Sequence, residues 1–188
     1  CVVTGFRVAG GRIAGIATTR GELATENVIL AAGPFAGPLA TEAGLDLPLV
    51  NVRRQKTLLP EVQEVPPDAP MVLDEETGTH WRPWLRGAIV TGAAGEPIVD
   101  PPLEDVPTDS ALATRLLDPA SPLAAARLAP FWADVWARGG SAWSVHAGHY
   151  TLTPDGRPLI GPSALPGLWL NCGYGGHGVM LTPAGSRR

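Results

Sequence analysis

The sequence predicts a mixed α/β fold: a partial Rossmann-like layer joined to an antiparallel-sheet domain that carries helices. Three observations lead there. "NVILAAGP", Asn27 to Pro34, is a continuous apolar run closed by Gly and Pro, the pattern of a fully buried strand of a parallel sheet leaving into a loop. From Leu47 to about Pro102 the chain instead breaks into short strand-like runs separated by Pro and Gly turns, the pattern of an antiparallel sheet. Near the end, "LWLNC" reads as another strand, followed by "GYGGHG" and a stretch that can open a helix. The expected organisation is therefore 1–48 in the layer, 49–150 in the antiparallel domain with its helices, and 151–188 back in the layer.

Each element follows from local pattern. "VVTGFRVAGGRIAGIATT" reads as two strands joined at Gly10-Gly11 as a hairpin, since paired glycines accept the positive φ of a two-residue turn. Arg20-Gly21-Glu22 makes the next turn. "PFAGPLATEAGL" is short and helical, with Gly44 as its C-terminal cap. In the central segment the strands are "VRRQKTLL", "MVLDEE", "THWRPW" and "AIVTGA". Thr108 or Asp109 caps a helix in which Leu112 and Leu116, then Ala113 and Leu117, fall four apart. A second helical region runs from Ser121 through Leu128, Trp132, Val135 and Trp136, divided by Pro130. Strand character returns in "AWSVHAGHYTLTP", and the turn Pro154-Asp155-Gly156 leads into "PLIG" and "LWLNC".

Composition excludes several function classes. With 188 residues and 45% hydrophobic content the chain can bury a core, as one domain or two small ones. Fourteen basic and 18 acidic residues give a net charge of −4 with no run of like charges, so no basic surface for nucleic acid or anionic lipid is expected. The longest mainly apolar stretch, Val28 to Leu39, is interrupted by Gly33, Pro34, Gly37 and Pro38 and is too short to span a bilayer. Cys1 and Cys172 form neither a metal-ligand pair nor a disulfide framework, so a reducing, cytoplasmic compartment is the expectation. The chain opens on "CVVTGF" without Met, as though already inside a strand, and ends "LTPAGSRR" as a helix begins. It reads as part of a longer protein.

The chemistry concentrates in glycine turns. A missing Cβ lets backbone amides approach a ligand, and a following helix aims its positive end at an anion. "AAGP" and "CGYGGHG" both qualify. Gly173, Gly175 and Gly178 spell G-x-G-x-x-G, but a dinucleotide fingerprint also requires an acidic residue about 20 positions later, and none follows. His146 and His149, three apart on a strand, face opposite ways, so a metal site there is not expected. His177, between glycines, can reach a ligand oxygen or sit exposed in its turn. No nucleophile elbow, H-E-x-x-H or P-loop is present. Arg53-Arg54-Gln55 and Trp81-Arg82-Pro83-Trp84 place charge on apolar strands, where an Arg can hold a carboxylate by two parallel hydrogen bonds or line a solvated sheet face.

Four segments taken in order resemble the FAD-dependent oxidoreductases of the D-amino acid oxidase, glycine oxidase and sarcosine oxidase group. They are "GELATENVILAAGPFAGPLATEAGLDLPL", "VRRQ", "GTHWRPWLRGAIVTGA" and "AGHYTLTPDGRPLIGPSALPGLWLNCGYGGHGVMLTPAG". The combination of T-P-D-G-x-P-x-I-G-P with G-x-x-G-H-G at this distance is the most specific part. The resemblance implies an FAD-binding layer and a substrate domain, with Ala32 and Gly33 near the FAD diphosphate and ribose and Val2 and Val3 near the adenine. It implies that Gly175, Gly176, His177, Gly178 and Val179 close over the flavin ring, where amides stabilise negative charge as the ring accepts a hydride. The family's diphosphate fingerprint lies near the N-terminus of the complete protein, which would place it ahead of Cys1. The implied reaction is oxidation of the C–N bond of an amino acid or N-methylated amine, with oxygen or another carrier as electron acceptor, and Arg82 and Tyr150 on the substrate side.

Departures from the family pattern carry information. Sarcosine oxidases attach FAD through a Cys two positions before the Tyr that matches Tyr150, and Gly148 stands there, so FAD is expected to be non-covalent. Their oxygen-activating Lys two residues before Asp-Pro matches Ile98, ahead of Asp100-Pro101, and their substrate-carboxylate Lys matches Met180. A dehydrogenase is therefore an open reading beside an oxidase. Two rivals stand next to it: a non-catalytic subunit that keeps the fold, and oxidation of a 2-hydroxy acid or glycerol 3-phosphate on the same scaffold.

Overall fold

The computed structural model describes residues 1–92, 97–140 and 142–187. Ala93, which ends "AIVTGA", and Arg188 lie outside the described residues. The chain divides into two compact units, the first comprising Cys1–Val52, Ile98–Leu103 and His149–Arg188, the second Arg53–Pro97 and Glu104–Gly148.

The first unit opens with three antiparallel strands, β1 (Val3–Ala9), β2 (Arg12–Thr18) and β3 (Gly21–Ala24), in that order. Gly10 and Gly11, at φ of 58° and 76°, make the expected hairpin turn. The next turn falls at Thr19-Arg20, one residue earlier than expected, and Gly21 already belongs to β3. β4 (Val28–Leu30) joins β10 (Leu159–Pro162) and β11 (Leu168–Cys172) in a second sheet of order β10-β11-β4. β11 runs parallel to β4, with Leu168 opposite Val28 and Leu170 opposite Leu30. A 3-10 turn at Gly33–Phe35 leads from β4 into helix α1 (Ala36–Glu42). The helix stops at the expected Gly44, whose N–H donates to Thr41 O at 2.9 Å while that of Leu45 donates to Ala40 O at 3.0 Å, a Schellman ending.

One expectation is corrected here. β4 is not a fully buried strand: Leu30 is buried, but Ile29 is 67% exposed. Among the described residues β4 pairs only with β11, so it is an edge strand with one face packed. Its packed face shares a core with Ile13, Ala36, Ala40, Leu168 and Cys172.

The second unit is organised on a five-stranded sheet of β5 (Val50–Leu59), β6 (Val72–Leu73), β7 (His80–Trp84), β8 (Gly87–Thr91) and β9 (Ser144–Leu152), in the order β6-β7-β8-β5-β9. The start of β5, to Val52, and the end of β9, from His149, count with the first unit. β7 and β8 form a hairpin pairing His80 with Thr91 and Trp84 with Gly87. Helix α2 (Leu112–Leu117) buries Leu112, Leu116 and Leu117. Its N-cap is Ala111 rather than Thr108 or Asp109. Asp109 acts just upstream, its Oδ1 accepting the Ala111 N–H at 2.9 Å. From Ser121 onward only a short 3-10 turn, Ala125–Arg127, precedes helix α3 (Phe131–Arg138), which Pro130 caps. The core is aromatic. Trp81 meets Phe131 and Trp132 edge-on at 5.8 and 5.7 Å between centroids, the arrangement ring quadrupoles favour, and Leu59, Val90 and Val135 close around them.

Candidate functional site: a cleft at two glycine turns

Parallel neighbours present their carboxyl ends side by side. β4 releases into Ala31-Ala32-Gly33-Pro34, and β11 into Gly173-Tyr174-Gly175-Gly176-His177. In open α/β sheets this end is where ligands bind. A cleft of about 360 Å³ lies there, lined by Ala31, Gly33 and Pro34 from the first turn, by Gly173, Tyr174 and Gly175 from the second, and by His149 and Thr151 of β9.

The glycines are there for stated reasons. Gly33 has φ of 54°, which disfavours L side chains, and a Cβ built on it meets nothing within 4 Å. The need is conformational, and the space beside it is open. Gly176 is the opposite case, because a Cβ there would lie 2.6 Å from the Tyr150 ring. The second turn therefore rests directly on that ring.

Helix α4 (Gly178–Gly185) follows the second turn, with His177 as an N-cap that makes no side-chain capping bond. The Leu181 N–H donates to His177 O at 3.0 Å, closing the first turn of the helix. The amides of Gly178, Val179 and Met180 precede that bond and have no acceptor within the helix, and the helix dipole is positive at this end. Val179 is 98% exposed.

Two residues not singled out from the sequence hold the turns together. Asn51 donates through Nδ2 to Pro34 O at 2.9 Å and accepts through Oδ1 from the hydroxyl of Thr151 at 2.8 Å. Thr151 O in turn accepts the Gly175 N–H at 2.9 Å. Strand alternation places His149 and Thr151 on one face of β9 and Tyr150 on the other. His149 accepts a long bond from the Leu103 N–H at 3.4 Å.

The described residues lining the cleft include no Asp, Glu, Lys or Arg. Burial pushes the Cys172 thiol above its ordinary range, so it stays neutral at neutral pH. Such a site offers neutral dipoles and backbone donors rather than fixed charge, which suits a cofactor that brings its own rings and charges.

Of the sequence-predicted residues, Gly33 on the first turn and Gly175 on the second line the cleft; Ala32 and Gly176 are their neighbours on those turns, Tyr150 lies against Gly176, and His177, Gly178 and Val179 stand at the start of α4 outside the cleft's lining. Val3 begins β1 in the separate three-stranded sheet and does not line the cleft. Arg82 belongs to the second unit: Trp81 turns into its core, and Arg82 is exposed on β7, with Nη1 donating to Pro83 O at 3.3 Å. Ile98 and Met180 are both exposed. Among the described residues no group of three or more His, Cys, Asp or Glu stands ready to hold a metal ion, and no helix is long and apolar enough to cross a membrane.

Parallel strands ending in paired glycine turns, with an antiparallel-sheet unit alongside in the chain, define the class of two-part cofactor-binding α/β proteins. The chain belongs to the FAD dependent oxidoreductase family (DAO), which matches residues 1–188. It is 35% identical over 186 residues to the glycine oxidase of Pseudomonas aeruginosa, an alignment covering 98% of this chain and 46% of that protein. It is 29% identical over 190 residues to a D-amino acid dehydrogenase of Cereibacter sphaeroides, covering 97% of this chain and 38% of that one. Among solved structures, glycine oxidase from Geobacillus kaustophilus superposes with a TM-score of 0.74 at 21% identity over 99% of this chain and 46% of that chain. L-proline dehydrogenase from P. horikoshii gives 0.71 at 23% identity, over 97% of this chain and 46% of that chain. These two likenesses establish the mixed α/β fold with its antiparallel sheets. The chain spans under half the length of the curated relatives it matches. FAD is the family's cofactor, and with no thiol at Gly148 a non-covalent FAD fits the residues present.

Proposed function

We propose that the protein carrying this chain oxidises the C–N bond of an amino acid or an N-methylated amine. The bound flavin supplies the ring that takes a hydride from the carbon next to nitrogen, leaving an imine that hydrolyses. The observation that carries this reading is the convergence of the Gly33 and Gly175 turns on one cleft whose described lining carries no charged side chain. Ala32 and Gly33 are assigned to the diphosphate and ribose of FAD, and Val3 to the adenine side. Gly175, Gly176, His177, Gly178 and Val179 are assigned to the ring: the N–H groups of Gly175 and His177 are held inside the protein by Thr151 O and Tyr174 O, and the amides of Gly178 and Val179, with no acceptor within the helix, are the ones assigned to donate to the ring and stabilise negative charge. Arg82 is assigned to a substrate carboxylate and Tyr150 to the substrate side. The glycine oxidase and D-amino acid dehydrogenase relatives support an amino acid as substrate. Their greater length supports the chain being one part of a longer flavoenzyme, whose remaining segments complete the cofactor site. The free Cys1 and Cys172 support a reducing, cytoplasmic location.

Ile98, where sarcosine oxidases carry an oxygen-activating Lys, favours a second reading in which the electrons pass to a carrier other than oxygen. The test is to purify the full-length protein, record its visible flavin absorbance, and add glycine, sarcosine or D-amino acids without oxygen. Bleaching by at least one is expected. A folded protein that stays colourless with added FAD, or one bleached only by 2-hydroxy acids or glycerol 3-phosphate, overturns the proposal. The rate of recolouring in air separates oxidase from dehydrogenase.

A further inference from the structure

We infer that Asn51 and Thr151 are positioning residues that set the spacing of the two glycine turns, and through it the grip of the cleft on FAD. The inference rests on the proposal that the cleft holds the flavin cofactor.

Gly33 and Gly175 come from strands far apart in sequence, and each turn presents backbone rather than a side chain. Backbone donors cannot adjust their reach by a rotamer change, so the turns themselves must be fixed to hold amides at hydrogen-bonding distance. One bridge joins them directly: Pro34 O to Asn51 Nδ2 at 2.9 Å, Asn51 Oδ1 to Thr151 Oγ1 at 2.8 Å, and Thr151 O to the Gly175 N–H at 2.9 Å.

The bridge has only one consistent polarity. A carbonyl can only accept, so Asn51 must turn its NH2 to Pro34, and its oxygen then faces the Thr151 hydroxyl, which donates. Reversing the amide would set two acceptors against each other. Thr151 is buried, and the backbone of Asn51 is held as well, its O accepting the Val99 N–H at 2.9 Å. Asn51 thus ties together the first turn, β9 and the segment Ile98–Leu103.

The test uses the full-length protein and four variants: Thr151→Val, which keeps shape and removes the hydroxyl, Thr151→Ser, which restores it, Asn51→Asp, which replaces the donor to Pro34 with an acceptor, and the double variant Asn51→Asp with Thr151→Val. The readouts are the FAD dissociation constant from flavin fluorescence and the resolution of the visible flavin bands. Thr151→Val and Asn51→Asp are each expected to weaken FAD binding about tenfold and blur the bands, the scale of one lost buried hydrogen bond. The double variant should match the worse single variant rather than multiply to about a hundredfold, because the bridge works as one unit. Thr151→Ser should stay within about twofold of the unaltered protein. Tight binding by Thr151→Val, failure of Thr151→Ser to rescue, or multiplicative singles would overturn the inference while leaving the flavin proposal standing. An unaltered protein that takes up no FAD overturns both.

Discussion

The cleft of the first unit and the core of the second are built from different materials. The cleft is lined by the backbone turns at Gly33 and Gly175, steadied by Asn51 and Thr151. In the second unit Trp81, Phe131, Trp132 and Leu116 hold the fold by side-chain contact. Substitutions in the one should therefore change cofactor affinity more than stability, and substitutions in the other the reverse.

The largest expected effect is Trp132→Ala. Removing a fully buried ring that packs on two other aromatics should cost about 3–5 kcal/mol in urea unfolding. The FAD dissociation constant of the protein that stays folded should change by less than about twofold, as for distant sites. A variant that loses FAD while keeping its unfolding midpoint would break the comparison.

Gly176→Ala comes next. The new methyl overlaps the Tyr150 ring and should cost about 1–3 kcal/mol, with weaker FAD binding, until Tyr150→Ala is added and the cost disappears. A loss that persists in the double variant would mean that the contact with Tyr150 is not its cause. Gly33→Ala meets no atom, so its penalty is the positive φ alone, about 1–2 kcal/mol. It should appear mainly as faster release of FAD on dilution.

The smallest effect is electrostatic. The side-chain bonds from Arg138 hold the Glu64 carboxyl below its ordinary range, and those from Arg115 do the same for Asp109. For Asp74, burial pushes upward, but bonds from Thr77, the Glu76 N–H and Arg127 outweigh it. Each folded-state value lies below the unfolded one. The stabilisation is therefore present above about pH 4 and fades as the pH falls through the folded values. The Arg138–Glu64 pair is partly exposed and screened by solvent, so Glu64→Gln should shift stability at neutral pH by at most about 1 kcal/mol, and by less at low pH. Urea midpoints measured at neutral pH and again below pH 4 check the sign.

What the sequence made legible follows the same division. Side-chain periodicity exposed the buried faces of α2 and α3, and the resemblance carried by T-P-D-G-x-P-x-I-G-P with G-x-x-G-H-G singled out the second turn as a candidate site. Ile29 was misjudged because burial of a strand depends on its place in the sheet, which a local apolar run does not encode. The cap of α2 was misplaced by two or three residues because Asp109 bonds an amide just before the helix instead of within it. The Asn51–Thr151 bridge left no local signal at all: its two members are 100 residues apart, and their meeting depends on tertiary packing.

The central claim is that backbone amides at the two glycine turns face the flavin. Nitrogen-15 amide spectra of the full-length protein, recorded as FAD is added and then chemically reduced, test it directly. The account predicts shifts on FAD addition at Gly33, Gly175 and Gly178, a further shift at Val179 on reduction, and unmoved indole signals from Trp81 and Trp132. Glycine-turn amides that stay in place while those indoles move would contradict it.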